Sequence, residues 1–351
     1  MKLSLQPILR MLDSRVRRRA PRGLGEVAAR RWVVAGPHET RVPAAYFLDG
    51  QLERIRGWAF MDEHPGRDMT GGDVTTHGPT TAFLLRDAVV LDGVIYCANA
   101  CEHLRARSHR LPRLYASETL DRGAVACTPG GNRWFGTWVM DDCTLHQLAR
   151  DEGRPVTTNP PMSAQARAYA DLFDVHPRLV DGAHFRELVV FEDLGQNPHK
   201  AARFETMRRA VRSRYEASPH PGVFLRRGGA GARRVLRNED EIAEHLRRHR
   251  GFRIVDPMSA SVDEVLRDCV GARVVAGIEG SGLIHGVLGQ TAGDAILTLQ
   301  PPDRFVSVYK HLADRDGQSF AFVVGRTVGD GDFHVELDEV DRTLDLLPRG
   351  G

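Results

Sequence analysis

This sequence of 351 residues contains no apolar run close to the roughly 20 residues that a membrane-spanning helix needs. Its first residues also lack the apolar core and the small-residue cleavage site of a secretory signal peptide. The five cysteines are odd in number and scattered, which is typical of a reducing compartment rather than of a disulfide-stapled secreted domain. These absences together predict a cytoplasmic protein.

The motifs of several enzyme classes are missing as well. There is no Walker A sequence and no His-Glu-x-x-His helix, so neither a P-loop ATPase nor a zincin is supported. Gly228-Gly-Ala-Gly231 follows a strand pattern, but its spacing is wrong for dinucleotide binding, which weakens a nicotinamide dehydrogenase reading. Cys97, Cys101 and His103 lie beside a hairpin without a second pair of ligands, so structural thiols are favoured over zinc. The sequence predicts neither a metal site nor a cofactor.

Lysine is scarce, since Lys2, Lys200 and Lys310 are the only three, and arginine supplies nearly all of the positive charge. The net charge of +2 creates no global field that favours nucleic acid, and no nucleic-acid partner is predicted. Basic residues concentrate between Arg15 and Arg31, behind a stripe of leucines. We expect residues 1–31 to form a loosely attached surface helix, with a peripheral membrane anchor as the alternative.

Strand patterns alternate with helix patterns from about residue 185 onward. Strands are expected at 185–191, 222–225, 252–255, 273–277, 295–299 and 319–324, and helices at 200–214, 239–249, 261–270, 281–288 and 305–313. Asn238 is a candidate N-cap, and Ser261 with Glu264 forms a capping-box pattern. Alternation of this kind predicts a parallel sheet covered on both faces, and ligands bind such sheets outside the carboxyl ends of the strands.

One of these strand ends carries a glycine-rich sequence, residues 277–283, which we call the glycine turn. Gly280 and Gly282 let a ligand approach the backbone closely, and Glu279 and Ser281 add polar side chains at the same place. Backbone N–H groups at a strand-to-helix turn suit an anion. A turn that only packs is the alternative, because short glycine loops are common in α/β proteins.

The N-terminal half is less regular. Asp92-Gly93 predicts a two-residue hairpin turn, and residues 134–148 predict a helix. We expect four regions: a basic extension (1–31), an N-terminal domain (32–185), a C-terminal domain (186–330), and a C-terminal helix (331–351) that folds back on the first domain.

Several of these sequences resemble family 61 glycosyltransferases, the group that includes bacterial capsular-polysaccharide proteins and eukaryotic xylosyl- and N-acetylglucosaminyltransferases. The resemblance covers about residues 130–325. The matching positions, in order, are Trp138 and Asp141, Phe224-Leu-Arg-Arg227, Arg234, Asn238-Glu239, Gly251-Phe252 and Val275 to Leu283. The chain departs from the pattern at Thr137 and Glu279, where the family usually has His, and at His285, where it has Asn.

The resemblance implies an α/β protein of GT-B architecture, in which two Rossmann-like doubly wound domains face a cleft. The nucleotide-sugar donor, UDP-linked, is expected on the C-terminal domain and the acceptor on the N-terminal domain. The implied reaction is an inverting, metal-independent transfer of the sugar to a hydroxyl of a glycan, a polysaccharide or a small acceptor. Two other functions stay open: a non-catalytic nucleotide- or glycan-binding relative, suggested by the departures, and an NAD(P)-dependent oxidoreductase on a Rossmann-like fold.

The resemblance also implies site residues. The donor side would consist of Arg227, Arg234, Asn238, Glu279, Gly280, Ser281 and Gly282, and the acceptor side of Trp138 and Asp141. Arginine forks match phosphate oxygens, and an inverting transfer needs a general base. Asp141 is the first candidate for that base and Glu279 the second. A carboxylate that is only satisfied by a helix end is the alternative for Asp141.

Overall fold

The computed structural model describes residues 2–15, 22–59, 65–159, 163–227, 234–329 and 331–348, and the side chains of 13–15 and 65 are not described. The chain forms two compact units, of which unit 1 comprises Met1–His38 and Gly78–Arg203 and unit 2 comprises Glu39–His77 and Phe204–Gly351. Both units combine strands with helices, so the predicted α/β class is confirmed. Residues 16–21, which hold part of the basic cluster, and the whole glycine-rich run 228–231 lie outside the described residues.

Unit 2 contains a sheet of five strands that are all parallel. Their order across the sheet is Arg253–Val255, His220–Leu225, Ala272–Ile278, Ala295–Gln300 and Ser319–Val324. The five sequence patterns from 222 to 324 therefore correspond to observed strands. Nearly every residue of the three central strands is buried, which explains why they are continuous apolar runs without polar alternation.

Helices connect these strands, as predicted. They are Glu239–Arg250, Val262–Cys269 and Val308–Asp316, and a 3-10 turn Ser281–Leu283 that continues as Ile284–Val287. The Ser261 capping box is confirmed, because the Ser261 hydroxyl accepts from the N–H of Glu264 at 3.3 Å and Glu264 accepts from the N–H of Ser261 at 2.8 Å.

Asn238 occupies the predicted N-cap position, but its side chain does not fill the capping role. Asn238 directly precedes the helix Glu239–Arg250, but its side chain makes no capping hydrogen bond. The buried amide instead donates to the carbonyl of Val335 at 2.8 Å and accepts from the N–H of Val335 at 3.3 Å. An extended segment that packs beside it offers both backbone groups at once, and this satisfies a buried amide more fully than one helix N–H would.

Two segments that are distant in sequence complete unit 2. Residues 39–77 contribute Tyr46, whose N–H donates to Phe320 of the sheet at 2.8 Å. The C-terminal helix Leu337–Leu346 buries Val340 in the core of the same sheet. Glu339 on that helix forms a bidentate ion pair with Arg54, with N···O distances of 2.7 and 2.5 Å. The two units therefore do not follow the predicted domain boundaries. Residues 39–77, which were predicted to belong to the N-terminal domain, group with the C-terminal part of the chain.

The sheet of unit 1 has eight strands and is mixed. Its strands are Arg30–Ala35, Thr80–Leu91, Val94–Cys97, Ala100–His103, Glu118–Val125, Pro155–Thr157, Arg178–Leu179 and Gly182–Glu192. Four of them run parallel, and the other pairings are antiparallel. Of the antiparallel pairs, tight turns join only Thr80–Leu91 to Val94–Cys97 and Val94–Cys97 to Ala100–His103. The predicted hairpin is confirmed, with positive φ at both Asp92 (48°) and Gly93 (77°), as its turn type requires.

The helix predicted at 134–148 is present, with an irregularity that the sequence does not indicate. A short helix Phe135–Thr137 leads into a π-helical turn, Trp138–Asp142, and then into the helix Cys143–Glu152. Single π turns inside α-helices are rare, and those that are present often lie at functional sites. The other helices of unit 1 are Gln6–Arg15 and Ala164–Phe173, and the helix Pro198–Arg214 contains the point where the two units divide.

Candidate functional site

The glycine turn lies at the carboxyl end of the central strand Ala272–Ile278. Gly280 has a φ of 152°, a conformation that residues with a side chain rarely adopt. A Cβ at Gly277 would lie 2.7 Å from the carbonyl oxygen of Leu225 on the neighbouring strand. Two of the glycines are therefore required by backbone conformation and by close packing, whereas a Cβ on Gly282 would meet nothing within 4 Å.

Within the described part of the chain, three arginines converge on this turn, and we call Arg227, Arg234 and Arg304 the arginine cluster. Arg234 forms an ion pair with Oε2 of Glu279, and Arg304 donates to the same oxygen at 3.2 Å. Arg227 follows the neighbouring strand, and its guanidinium donates to the carbonyl of Glu279 at 3.4 Å. A Cβ placed on Gly280 would be 3.6 Å from Arg227 and 3.7 Å from Arg234, so both guanidiniums lie beside the turn.

Burial shapes the electrostatics of the cluster. It lowers the pKa of Arg227 to about 10, and the nearby charge of Arg234 acts in the same direction while Glu279 opposes it. Burial raises the pKa of Glu279, and the surrounding guanidiniums oppose that shift. Two direct ion pairs to one carboxylate oxygen stabilise the charged form of Glu279 and so act against the effect of burial.

Two further groups hold the turn in place. The buried hydroxyl of Tyr309 donates to the carbonyl of Gly280 at 2.8 Å. The carboxylate of Glu239 accepts from the backbone N–H of Arg227 at 2.6 Å. Arg304 and Tyr309 are absent from the sequence-predicted set. The rule that ligands bind at strand carboxyl ends would have pointed to Arg304, because Arg304 follows the next strand, Ala295–Gln300.

The structure brings together most of the predicted donor residues. Arg227, Arg234, Glu279 and Gly280 are in mutual contact or adjacent, and Ser281 and Gly282 continue the turn. Asn238 does not join them, since its amide is occupied by Val335. The accessible side of the site is formed by the exposed Gly282 and by Arg304, whose side chain is 37% exposed.

The predicted acceptor residues lie in unit 1, on the π turn. Asp141 is 27% exposed, and its Oδ1 accepts from the ammonium of Lys200 at 2.5 Å. The buried Lys200 also donates to the carbonyl of Asp193 at 2.9 Å. Trp138 is buried and packs on Phe135, with ring centroids 6.0 Å apart. The π turn therefore holds a partly exposed carboxylate that a buried cation fixes, and a buried tryptophan that packs on Phe135.

The neighbouring carboxyl group, Asp142, is in a different environment that the sequence did not indicate. It is buried, and its Oδ1 accepts from both the N–H and the hydroxyl of Thr128, at 2.9 and 2.8 Å. Burial raises the pKa of Asp142 well above its usual value. A Cβ at Gly131 would lie 2.1 Å from this carboxyl group, so the glycine is what makes room for it. Two adjacent carboxyl groups thus lie in different environments, since Asp142 is buried and Asp141 is partly exposed and paired with Lys200.

Neither a metal site nor a membrane-spanning helix is found among the described residues. No group of three His, Cys, Asp or Glu side chains arranged for a metal ion occurs among the described residues. In the described part of the chain, no helix is long and apolar enough to cross a membrane. Lys2 near the N-terminus bonds to His184 at 2.6 Å, which ties the start of the chain to unit 1.

A parallel sheet with cationic side chains at its carboxyl ends defines an α/β protein with a site suited to an anionic ligand. The family model of Glycosyltransferase 61 matches residues 108–296. The chain belongs to that family and is a glycosyltransferase, which confirms the resemblance found in the sequence. The match includes Asp141, Arg227, Arg234 and Glu279 and ends before Arg304. No curated protein matches the chain.

Proposed function

We propose that this glycosyltransferase is inverting and metal-independent, and that it moves a sugar from a UDP-linked donor to a hydroxyl of a glycan, a polysaccharide or a small acceptor. The observation that carries the proposal is the arginine cluster beside the glycine turn. When the bond between the anomeric carbon of the sugar and the donor phosphate breaks, negative charge develops on the departing diphosphate. Three guanidiniums at one place supply the positive charge that stabilises it.

The donor side is assigned to the arginine cluster and the glycine turn. Gly280 and Gly282 allow phosphate oxygens to approach the backbone, and Ser281 adds a hydroxyl. Asn238 acts indirectly, by fixing the start of the helix that carries Glu239. The proposed architecture is GT-B, with the donor bound by the C-terminal domain and the acceptor by the N-terminal domain.

Asp141 is the proposed general base. The acceptor oxygen attacks the anomeric carbon from the face opposite the leaving diphosphate, and its proton passes to the carboxylate of Asp141. The ion pair with Lys200 holds this carboxylate in one orientation, while its partial exposure leaves it accessible. Glu279 is less suited to the role, because one of its oxygens already accepts from two guanidiniums. Trp138, assigned with Asp141 to the acceptor side, is the buried first residue of the π turn and packs against Phe135.

Nucleotide binding gives the first test. Isothermal titration with UDP, GDP, CDP, NAD and NADP is performed on the wild type, on Arg227→Met and on the control Arg248→Met, which changes an exposed arginine on a nearby helix. Loss of one charge-assisted contact corresponds to about a tenfold or greater loss of UDP affinity in Arg227→Met. The control should bind as the wild type does. Binding of NAD alone, or transfer that stops when EDTA is added, would contradict the proposal.

Turnover gives the second test. Asp141→Asn should lower kcat by about 10²- to 10⁴-fold, the usual contribution of a general base, with UDP affinity retained. Because Asp141 is also the counter-ion of Lys200, the double variant Asp141→Asn, Lys200→Met is assayed beside it. Asp151→Asn, an exposed carboxylate on the adjoining helix, is the matched control. Full turnover in a folded Asp141→Asn protein would remove Asp141 as the base.

A further inference from the structure

Glu279 occupies the position that an anionic ligand of the arginine cluster would take. Its side chain is buried, and its Oε2 accepts from both Arg234 and Arg304. A phosphate oxygen would use the same guanidinium N–H groups, since carboxylate and phosphate present similar acceptors to an arginine fork. The site therefore already contains its own anion.

Among the described residues that surround the turn, positive and negative charges are nearly balanced. Arg227, Arg234 and Arg304 contribute three positive charges, and Glu279 and Glu239 contribute two negative charges, which leaves a net charge of +1. Without Glu279 the same groups would carry +2. Opposite charges a few ångströms apart in a partly buried site interact strongly, so this difference is large for a ligand that carries two or three negative charges.

The two arginines that hold Glu279 are not equally constrained. The side chain of Arg234 is 11% exposed, whereas that of Arg304 is 37% exposed and lies on the accessible side of the site. Arg234 Nε donates to no acceptor among the described residues. The side chain of Arg304 can therefore rotate towards a ligand. Arg234 keeps its ion pair with Glu279, and its Nε–H can still donate a hydrogen bond.

We propose that Glu279 is a resident counter-ion that competes with the diphosphate of the donor for the arginine cluster. Binding of the donor exchanges the carboxylate for phosphate oxygens at Arg304, and departure of the nucleoside diphosphate reverses the exchange. Three unopposed guanidiniums would hold the diphosphate product tightly, and Glu279 weakens that hold. This inference rests on the proposed donor site and adds Arg304 as the residue where the exchange takes place.

A different role for Glu279 leads to the opposite result. If its carboxylate served only to orient the guanidiniums, its loss would leave them mobile and anions would bind more weakly. If it accepted hydrogen bonds from ribose or sugar hydroxyls, its loss would weaken nucleoside binding as well. The sign of the change in affinity therefore separates these roles.

The test measures dissociation constants for UDP, inorganic pyrophosphate and uridine by isothermal titration. The variant Glu279→Gln keeps the shape and removes the charge, and Glu244→Gln is the control, an exposed carboxylate on the nearby helix Glu239–Arg250. We expect UDP and pyrophosphate to bind about tenfold tighter to Glu279→Gln, with uridine unchanged. Product inhibition by UDP should strengthen by the same factor. Equal or weaker binding of pyrophosphate overturns the inference.

A second variant covers the case in which Glu279→Gln does not fold. Arg304→Met changes a partly exposed side chain, and Arg326→Met is its exposed control. The exchange requires that Arg304→Met weakens pyrophosphate binding, so unchanged affinity refutes it. If Glu279→Gln binds pyrophosphate more tightly but does not bind UDP, the counter-ion role of Glu279 is supported and the proposed UDP-linked donor is refuted. If neither the wild type nor Glu279→Gln binds UDP or pyrophosphate, both the counter-ion role of Glu279 and the proposed donor site are refuted.

Discussion

His285 makes the stability of unit 2 sensitive to acid. It lies in the helix Ile284–Val287 directly after the glycine turn, and its side chain is 2% exposed. Burial lowers its pKa from the ordinary value of 6.5 to about 4. Because the folded pKa lies below the unfolded pKa, the unfolded chain binds more protons between these values. The stabilisation is complete above about pH 6.5 and is lost as the pH falls towards 4.

The size of the effect follows from the two pKa values. With about 6.5 in the unfolded chain and about 4 in the folded one, linkage gives a loss of about 2 kcal/mol between pH 7.5 and pH 5. For a unit of this size, that corresponds to a melting temperature lower by about 4–8 °C. His285→Asn removes the titrating group, so the difference in melting temperature between variant and wild type should change by that amount between the two pH values.

The comparison between pH values is what isolates His285. The variant changes packing as well, but that contribution is the same at both pH values, and other titrating groups cancel in the difference. His38→Asn, a change at an exposed side chain, is the control and should run parallel to the wild type. If the melting curves of His285→Asn and wild type keep a constant separation from pH 7.5 to pH 5, the reasoning about this buried imidazole is refuted.

Two further predictions concern packing and the Asp141 ion pair. Gly286→Ala would place a Cβ 2.5 Å from the side chain of Val275, so we expect a loss of about 1–3 kcal/mol in the free energy of unfolding, measured with urea, against less than about 0.5 kcal/mol for Gly282→Ala. Similar stability of the two alanine variants would contradict the close contact. Asp141→Ala leaves the buried ammonium of Lys200 without its counter-ion and should cost about 3–5 kcal/mol, whereas adding Lys200→Met to it should restore most of the stability. A double variant no more stable than Asp141→Ala would show that the ion pair does not account for the loss.

The sheet of unit 2 was predictable because its signals are local. Each strand is a short apolar run, and each connecting helix begins near a turn or cap, as at Ser261. The order of the strands in the chain then restricts how a parallel sheet can be built. The glycine turn was also predictable, since its conformation depends on residues that are neighbours in sequence, above all Gly280.

The side-chain partners were much less predictable. The side chain of Ser261 caps the helix that it precedes, as its sequence pattern indicates. The side chain of Asn238, at the equivalent position of another helix, instead bonds to Val335, 97 residues away. A buried amide takes whichever backbone groups the tertiary fold brings to it. The same reason explains why the ion pair between Asp141 and Lys200, 59 residues apart, has no signature in the sequence.

The family, the parallel sheet and the position of an arginine-rich site at the strand ends could be predicted from the amino-acid sequence, because these depend on periodicity, on turn chemistry and on motif order. Tertiary structure decided that Arg304 and Tyr309 complete that site and that Glu279 already fills it with negative charge. It also placed residues 39–77 beside the C-terminal helix in unit 2. These outcomes depend on which residues meet across long stretches of chain, and that is settled by packing and by pairing of buried charges rather than by neighbours in sequence.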